Sequence, residues 1–354
     1  MSSVEVRSRF PRSSASEPRS RHLLSRRSHR ALAAPGYPGK TPTRTTTPDH
    51  LRMADLFAGI GGFHLAFREI GARCVFACEN NPTARRTYED NFRTEAPELF
   101  DSGNFARDIA AVDPDAVPDH DVLTVGFPCQ PFSSAGVRRG FSDGRGLLFF
   151  EIVRILRDKR PAAFFLENVK GLLRHDNGQT LAIIRTVLTN DLGYSLHAKI
   201  VRACDFGVPQ LRPRLFMVGF RDPSTPFEFP EPVPLRTTLG DILGGECDRA
   251  VSRTVLASGH AKPYGQKFNW AHYLVDGQLH RLTPTEALAL QGFPPGFRLP
   301  DSYTAAMRLI GNSVAVPAVA ATAQQIARSL GADSRSTHQY GHDSLHADRE
   351  GKRR

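Results

Sequence analysis

The hydrophobic pattern at the start of the ordered sequence predicts a strand, a tight turn and an amphipathic helix. Residues 52–57 form an apolar run that is typical of a buried strand, and a Gly-rich turn follows at 58–62. From Phe63 onward, apolar residues recur at i, i+3, i+4 and i+7, and Gly71 is a helix stop signal. A second apolar strand is predicted at 74–77. The order strand, helix, strand indicates an α/β unit.

The same alternation continues through the chain. Asn81-Pro82 is an N-cap with a first-turn proline and predicts the start of another helix. Further apolar runs predict strands at 121–125, 161–166 and 215–218. An open, mostly parallel sheet follows from this order, and such sheets bind ligands at the carboxyl ends of their strands.

Between Phe220 and His280 the chain becomes rich in Pro, Gly and Thr, which marks a candidate small domain. Part of it mixes cationic and aromatic side chains, as suits phosphate and base contacts. A minor hydrophobic core around Tyr264 and Trp270 explains the same segment equally well. The mixed residues are His260, Lys262, Tyr264, Lys267, Asn269, Trp270 and His272.

The net charge of +10 is concentrated at one end of the chain. Residues 1–52 hold 11 of the 46 Lys and Arg and 3 of the 36 Asp and Glu, so the rest is nearly neutral. We expect the Ser-, Arg- and Pro-rich leader to be disordered. This leader has three interpretations: a DNA-binding arm, a targeting signal, or translated sequence upstream of the true translation start. We favour the last, because Leu51 already begins the first strand. The polar tail from Gly331 is expected to be disordered as well.

Other compositional features narrow the class of protein. No run of about 18 apolar residues or secretory signal core is evident, so we expect an intracellular protein. Five cysteines without a C-x-x-C pair support neither a disulfide framework nor a zinc site, and no metal is expected.

Cys129 has two interpretations. It follows the strand 121–125 through Pro128, which forbids a helix, and precedes a loop rich in Gly and Arg. A lone cysteine is more often a small buried residue than a nucleophile. Glu167, at the end of the next strand, and the pair Arg212 and Arg214 converge on the same sheet edge, and the combination favours a nucleophile.

The Gly-rich turn has two interpretations: it binds a nucleotide-type ligand, or its glycines only allow the helix to pack closely on the strand. Glu79 follows Gly59 by twenty residues, as an acid that binds ribose hydroxyls does. The G-x-G-G pattern lacks the spacing of a dinucleotide site, which favours adenosine without a pyrophosphate. Asp108-Ile109 follow at the next strand end, where an acid and an aliphatic side chain can hold the adenine edge and face.

Five segments resemble, in order, the motifs of bacterial C5-cytosine DNA methyltransferases of restriction-modification systems. The resemblance runs from about Arg52 to Leu330. It implies a Rossmann-like class I S-adenosylmethionine-dependent methyltransferase domain with a small target-recognition domain. The segments are D-L-F-A-G-I-G-G at 55–62, G-F-P-C-Q-P-F-S at 126–133, E-N-V at 167–169, Q-L-R-P-R at 210–214 and G-N-S-V at 311–314.

The resemblance also implies residue roles. Cys129 would attack C6 of a cytosine flipped from duplex DNA, Glu167 would bind N3 and the exocyclic amine, and Arg214 with Arg212 would bind O2 and phosphate. The donor S-adenosylmethionine would contact Phe57, Ala58, Gly59, Gly61, Gly62, Glu79, Asp108, Ile109, Asn312, Ser313 and Val314. DNA would contact Gln130, Ser133, Arg138, Arg139 and Arg145.

The implied organisation is a catalytic domain at 51–235, a short target-recognition domain at 236–280, a hinge at 281–310 and a return helix at 311–330. The expected partner is double-stranded DNA, with any cognate endonuclease acting separately from a cytoplasmic monomer. The enzyme is either the modification half of such a system or a solitary methylase. A catalytically silent DNA-binding relative and a tRNA cytosine-5 methyltransferase are the competing hypotheses.

Overall fold

A seven-stranded sheet forms the centre of the protein in a computed structural model that describes residues 50–128, 147–258, 262–267 and 269–332. Its strand order is β3-β2-β1-β4-β5-β8-β6. The strands of the chain are β1 (Arg52–Leu56), β2 (Arg73–Cys78), β3 (Phe105–Ala106), β4 (Val122–Gly126), β5 (Ala163–Val169), β6 (His197–Arg202), β7 (Gln210–Leu211), β8 (Pro213–Phe220), β9 (Ser252–Arg253), β10 (His272–Val275) and β11 (Gln278–Arg281).

The sheet is parallel except for β8, which runs antiparallel to both β5 and β6. The chain order reverses direction between β1 and β4, so a crevice opens at their carboxyl ends. The predicted strands are present, and the predicted α/β class is correct.

Helices cover both faces of this sheet. Those in the described part of the chain are α1 (Gly62–Glu69), α2 (Pro82–Phe92), α3 (Pro97–Asp101), α4 (Leu147–Lys159), α5 (Gln179–Thr186), α6 (Leu239–Leu243), α7 (Pro284–Ala289), α8 (Tyr303–Asn312) and α9 (Val316–Ser329). The predicted cap of α2 is confirmed, since the Asn81 side chain accepts hydrogen bonds from the amides of Thr83 and Ala84.

Two hydrophobic cores lie on opposite faces of the sheet. One contains Phe63 and Phe67 of α1 together with Val319 and Ile326 of α9, and these helices pack against each other. The other core contains side chains of α4 and α5, among them Ile152. Each large apolar side chain that is fully buried stabilises the fold by about 1.5–3 kcal/mol. The packing of α9 on α1 therefore contributes to the stability of the first part of the sheet, although the two helices are far apart in the sequence.

The segment Tyr303–Ser329 has the length and mean hydropathy of a membrane span, which the sequence analysis did not single out. About 67% of its apolar window is buried in the protein. Its helix is interrupted, because Ser313 adopts an extended conformation between α8 and α9. Packing in the core explains its apolar composition.

Residues 236–280 form small elements around a few buried aromatic rings. Trp270 and Tyr273 are each only 2% exposed and belong to the larger core, whereas Tyr264 is 40% exposed. The core interpretation therefore holds for Trp270 and fails for Tyr264. His260 lies outside the described residues.

Candidate active site

The turn after β1 is held in a left-handed conformation. Phe57, Gly59 and Gly61 have φ angles of 56°, 57° and 88°. Because Phe57 has a Cβ atom, this conformation costs roughly 1–2 kcal/mol. Hydrogen bonds fix the turn, from the Ala58 amide to the Cys78 carbonyl at 3.0 Å and from the Gly61 amide to the Ala58 carbonyl at 2.8 Å. The backbone amides at the end of β1 are thereby fixed in place.

Glu79 ties this turn to the next strand end. Its Oε2 accepts a hydrogen bond from the Gly59 amide at 2.9 Å, and its Oε1 accepts one from the Asn81 amide at 2.7 Å. The twenty-residue spacing seen in the sequence thus corresponds to a direct contact. Glu79 stays half-buried and faces the edge on which a ribose is expected.

Asp108 and Ile109 follow β3 at the same edge of the sheet. The exposed Asp108 accepts a hydrogen bond from the Ala110 amide at 3.0 Å and caps the short 3₁₀ turn Ile109–Ala111. Ile109 is buried in the core on one face of the sheet. Only the carboxylate of this pair is exposed to solvent.

The C-terminal motif closes against α1. A Cβ atom at Gly62 would lie 2.6 Å from Val314 Cγ2 and 3.0 Å from Ser313 Oγ, so only glycine fits there without movement. Asn312 is the exposed last residue of α8. The structure thus brings Gly62, at the end of the first predicted cofactor motif, into contact with Ser313 and Val314 of the last one.

Glu167 and Arg214 form a buried ion pair on adjacent strands. Arg214 Nε donates to Glu167 Oε1 at 2.9 Å, and the two side chains are 14% and 11% exposed. Glu167 pairs across the sheet with Gly126, the last residue of β4. Burial raises the pKa of Glu167, although the charges of Arg214 and Arg212 act in the opposite direction. The Glu167 carboxyl group is therefore easier to protonate than that of an exposed glutamate.

The position of Glu167 differs in one respect from the prediction. The sequence predicted a strand that ends at Leu166, whereas β5 continues through Glu167 to Val169. Pairing with the antiparallel strand β8, in which Val169 lies opposite Arg214, extends the ladder by three residues. Arg214 likewise lies inside β8 and not before it.

Arg212 faces elsewhere. Its guanidinium donates to the Val255 carbonyl at 3.0 Å, to the Gly311 carbonyl at 2.9 Å and to the Ser313 carbonyl. The side chain is buried, and its Nε has no hydrogen-bond partner in the described part of the protein. The structure therefore places Arg214 at Glu167 and joins Arg212 to the C-terminal motif.

Asn168 is a site residue that the sequence analysis did not assign. Its Nδ2 donates to the Phe127 carbonyl at 2.9 Å, and its Oδ1 accepts from the Val169 amide at 2.8 Å. It joins the end of β5 to the peptide that precedes Pro128, the last described residue of that segment. Its place beside Glu167 in the E-N-V motif was the available signal.

Asp55 is a second unassigned residue. It is fully buried on β1, Thr124 Oγ1 donates to its Oδ1 at 3.0 Å, and its Oδ2 has no partner among the described residues. Burial raises the pKa of Asp55 to about 8. An aspartate inside an otherwise apolar strand was the sequence signal.

Cys129, Gln130, Ser133, Arg138, Arg139 and Arg145 all lie outside the described residues. The described site consists of the ends of the strands, the pair of Glu167 and Arg214, and the C-terminal residues Ser313 and Val314.

A family model for C-5 cytosine-specific DNA methylases matches residues 51–258 and 248–328. The chain belongs to this family. It is 40% identical over 320 residues to the type II methyltransferase M.NlaX of Neisseria lactamica, an alignment that covers 80% of this chain and 98% of the relative. The match to M.HhaI of Haemophilus parahaemolyticus is 36% over 321 residues and covers 79% and 95% of the two chains.

Two further segments of the present chain also resemble M.HhaI, D-N-G-Q-T-L at 176–181 and Y-L-V-D-G at 273–277. The overall match to M.HhaI confirms this resemblance. Among solved structures, Dnmt2 of S. pombe shares the fold with a TM-score of 0.62 at 20% identity, covering 79% of this chain and 99% of that one. The methylase therefore has the predicted class of α/β methyltransferase fold.

Proposed function

We propose that this methylase transfers a methyl group to C5 of a cytosine in a specific duplex DNA site, through a covalent bond between Cys129 and C6. The observation that carries the proposal is the buried pair of Glu167 and Arg214, which adjoins the end of β4. From that end the chain runs through Phe127 and Pro128 to Cys129. A carboxyl group and a guanidinium at this position suit a pyrimidine ring with several polar atoms.

Carbon 5 of cytosine is a poor nucleophile, so the reaction needs covalent activation. The Cys129 thiolate bonds to C6, the C5–C6 double bond opens, and electron density moves to C5. S-Adenosylmethionine, when bound, supplies the electrophilic methyl group that C5 accepts. The C5 proton then leaves to a base, the double bond re-forms, and the thiolate is expelled. The target base is flipped out of the helix, since its ring is inaccessible in the stack.

Glu167 and Arg214 stabilise the charge that develops on the ring. The raised pKa of Glu167 favours the protonated carboxyl group, which can donate to N3 as thiolate attack increases the electron density there. Arg214, held against Glu167, can also donate to O2. Asn168 keeps the preceding peptide in register through its bond to the Phe127 carbonyl.

The strand ends beside this pair fit S-adenosylmethionine. The left-handed turn presents backbone amides, Glu79 offers a carboxylate at the ribose position, and Asp108 offers one at the adenine position. The lack of a side chain at Gly62 allows Ser313 and Val314 to approach the turn. Asn312 and Phe57 complete the proposed set with Ala58, Gly59, Gly61 and Ile109.

We assign DNA recognition to the loop that contains Gln130, Ser133, Arg138, Arg139 and Arg145 and to the short segment 236–280. In that segment a cavity of about 220 Å³ is lined by polar and charged side chains, among them Asp248, Arg249, Arg253 and Tyr264. The cationic groups can bind phosphates, whereas the side-chain amide of Asn269 is buried and already bonded to His272. The proposed enzyme is a cytoplasmic monomer, with any partner endonuclease acting separately.

Bisulfite sequencing of a host that lacks cytosine methylation and expresses the chain tests the proposal. We expect 5-methylcytosine at one recurring sequence and none in cells that express Cys129→Ser at equal level. A duplex containing 5-fluorocytosine should trap the wild-type protein covalently, because fluorine cannot leave C5 as a proton does. Methylation by the Cys129→Ser variant, or faster transfer of tritiated methyl groups to tRNA than to duplex DNA, would overturn the proposal.

A further inference from the structure

We infer that Arg85 and Arg154 are positioning residues that hold the adenosine end of the cofactor pocket, an inference that rests on the proposed function. Together these two arginines donate hydrogen bonds to backbone carbonyls on both sides of Asp108, whose carboxylate is proposed to bind adenine. Neither belongs to the motifs that carried the family resemblance.

Arg85 binds the chain before Asp108. It projects from α2, and its Nη1 donates to the Glu79 carbonyl at 3.0 Å and to the Ala106 carbonyl. Its Nη2 donates to the Phe105 carbonyl at 3.0 Å, and its guanidinium carbon lies 4.0 Å from the centre of the Phe105 ring. One side chain thus fixes the ends of both β2 and β3.

Arg154 binds the chain after Asp108. It projects from α4, and it donates to the Ile109 carbonyl at 2.8 Å and to the Val112 carbonyl at 2.7 Å. Glu151, one turn earlier on α4, accepts from Arg154 Nε at 2.8 Å and orients the guanidinium. The two arginines approach the same backbone segment from different helices.

The segment needs this support because the sheet provides little. β3 is an edge strand of two residues, and it pairs with β2 only through Phe105 and Ala106. Beyond it, Asp108 is exposed and bonded only to its own turn among the described residues. A planar guanidinium with five N–H groups can bind several carbonyls at once, whereas an ammonium group cannot match that geometry.

The consequence concerns affinity and not chemistry. Both arginines are directed at main-chain carbonyls, and Asp108 carries the contact to the ligand. Removing either arginine should let the segment around Asp108 move, so the free protein would pay more to order it on binding. The reacting groups at Glu167 are on other strands and should be unaffected.

Calorimetric titration of the full chain with S-adenosylhomocysteine tests this inference. We expect Arg85→Met and Arg154→Met each to raise the dissociation constant by about tenfold. This change in affinity corresponds to about one net charge-assisted hydrogen bond. Arg86→Met and Arg157→Met are the matched controls, since these exposed arginines are on the same two helices, and they should bind like wild type. Arg85→Lys keeps the charge and the stem and should recover only part of the affinity.

Two further readouts separate positioning from general damage. 5′-Methylthioadenosine contains the adenosine but not the amino acid, so its affinity should fall by the same factor. Steady-state kinetics should show a raised KM for S-adenosylmethionine with an unchanged kcat at saturation. Thermal unfolding without ligand identifies any variant that fails to fold, and Arg85→Lys then provides the decisive comparison.

The possible outcomes distinguish the inference from the proposal beneath it. If wild-type protein does not bind S-adenosylhomocysteine, the proposed function fails. If wild type binds and Arg85→Met binds equally well, the positioning role is wrong. A loss of affinity for S-adenosylhomocysteine that spares 5′-methylthioadenosine would also contradict it, because the defect would then lie at the amino-acid end.

Discussion

The two halves of the carboxyl edge of the sheet use charged side chains in opposite ways. After β1, β2 and β3, charged groups bond to the main chain: Glu79 accepts from backbone amides, and Arg85 donates to backbone carbonyls. Beside the end of β4, the carboxyl group of Glu167 on β5 and the guanidinium of Arg214 at the start of β8 bond to each other. The first half uses charge to fix the backbone, and in the proposed mechanism the second half keeps charged groups available to the substrate. Substitutions in the first half should therefore change binding, and those in the second should change turnover.

The largest expected effect is at Glu167. Glu167→Gln keeps the size of the side chain but cannot transfer a proton to the ring, and we expect kcat to fall by about 10²–10³-fold. Burial raises the pKa of Glu167, and in the proposed mechanism its protonated form donates to the ring, so wild-type kcat should decline as pH rises through that pKa. The variant should lack this decline.

Tritiated methyl transfer at several pH values gives both quantities for Glu167→Gln. Titration with S-adenosylhomocysteine serves as the control and should give wild-type affinity. A variant with normal kcat and weakened binding would reverse the assignment of the two halves.

The pair Arg212 and Arg214 gives the sharpest internal contrast. Arg214→Met should lower kcat by about 10²-fold, since it removes a donor to developing charge. Arg212→Met should instead unfold the protein more easily, because three buried carbonyl groups lose their donor, at a cost of about 3–5 kcal/mol.

Thermal unfolding and kcat, measured on both arginine variants, check this contrast. For a protein of this size the expected fall in Tm for Arg212→Met is roughly 6–15 °C. Similar Tm values for the two variants, with similar losses of kcat, would show that both arginines act on the substrate.

Glu79→Gln probes the binding half. The amide nitrogen that replaces one carboxylate oxygen would face a backbone amide at Gly59 or Asn81, so the turn after β1 should loosen. We expect the dissociation constant for S-adenosylhomocysteine to rise by about tenfold and kcat at saturation to stay unchanged. Glu89→Gln on α2 is the control, because the Glu89 carboxylate bonds to Arg93 and not to the turn after β1. A fall in kcat without a change in affinity would contradict the binding role.

An effect on stability alone, with no change in binding or turnover, is expected at Asp55 and depends on pH. Its pKa is about 8 in the folded protein and about 3.9 in an unfolded chain. The folded state therefore keeps a proton that the unfolded state releases, and wild-type stability falls as pH rises from about 4 to about 8. Asp55→Asn removes this penalty.

Thermal unfolding of Asp55→Asn and wild type at pH 5 and pH 8 measures the effect. We expect the variant to gain several degrees in Tm relative to wild type at the higher pH, about 1–3 kcal/mol of stability. Asp115→Asn, at an exposed position, should show no such difference. An equal offset at both pH values would mean that Asp55 is ionised in the folded state.

The sequence predicted the contacts that depend on local geometry. The Asn81 cap follows from a short-range pattern and is present, whereas the hydrogen bond from the Gly59 amide to Glu79 was not predicted, because the sequence pattern assigned Glu79 to a ribose. The direction of Arg212 could not be predicted, because its partners Gly311 and Ser313 are about a hundred residues away. The extension of β5 depends in the same way on its antiparallel neighbour.

Two further features escaped prediction for the same physical reason. Composition cannot tell whether an aromatic residue in a polar segment is buried, and Trp270 is buried while Tyr264 is not. Arg85 carries no motif, and its importance appears only when three carbonyl groups from two strand ends meet its guanidinium.

The contact of Gly62 with Val314 has a consequence for synthesis of the protein on the ribosome. These residues are 252 positions apart, so the wall formed by Ser313 and Val314 is still untranslated when the turn after β1 has emerged. At about 5–20 residues per second the delay is roughly 13–50 s. During that interval the nascent chain exposes the face of α1 that α9 later covers, and the proposed cofactor pocket still lacks Ser313 and Val314. Methylation competence therefore arrives with the last helix, and a chain released before it would be inactive as well as incomplete.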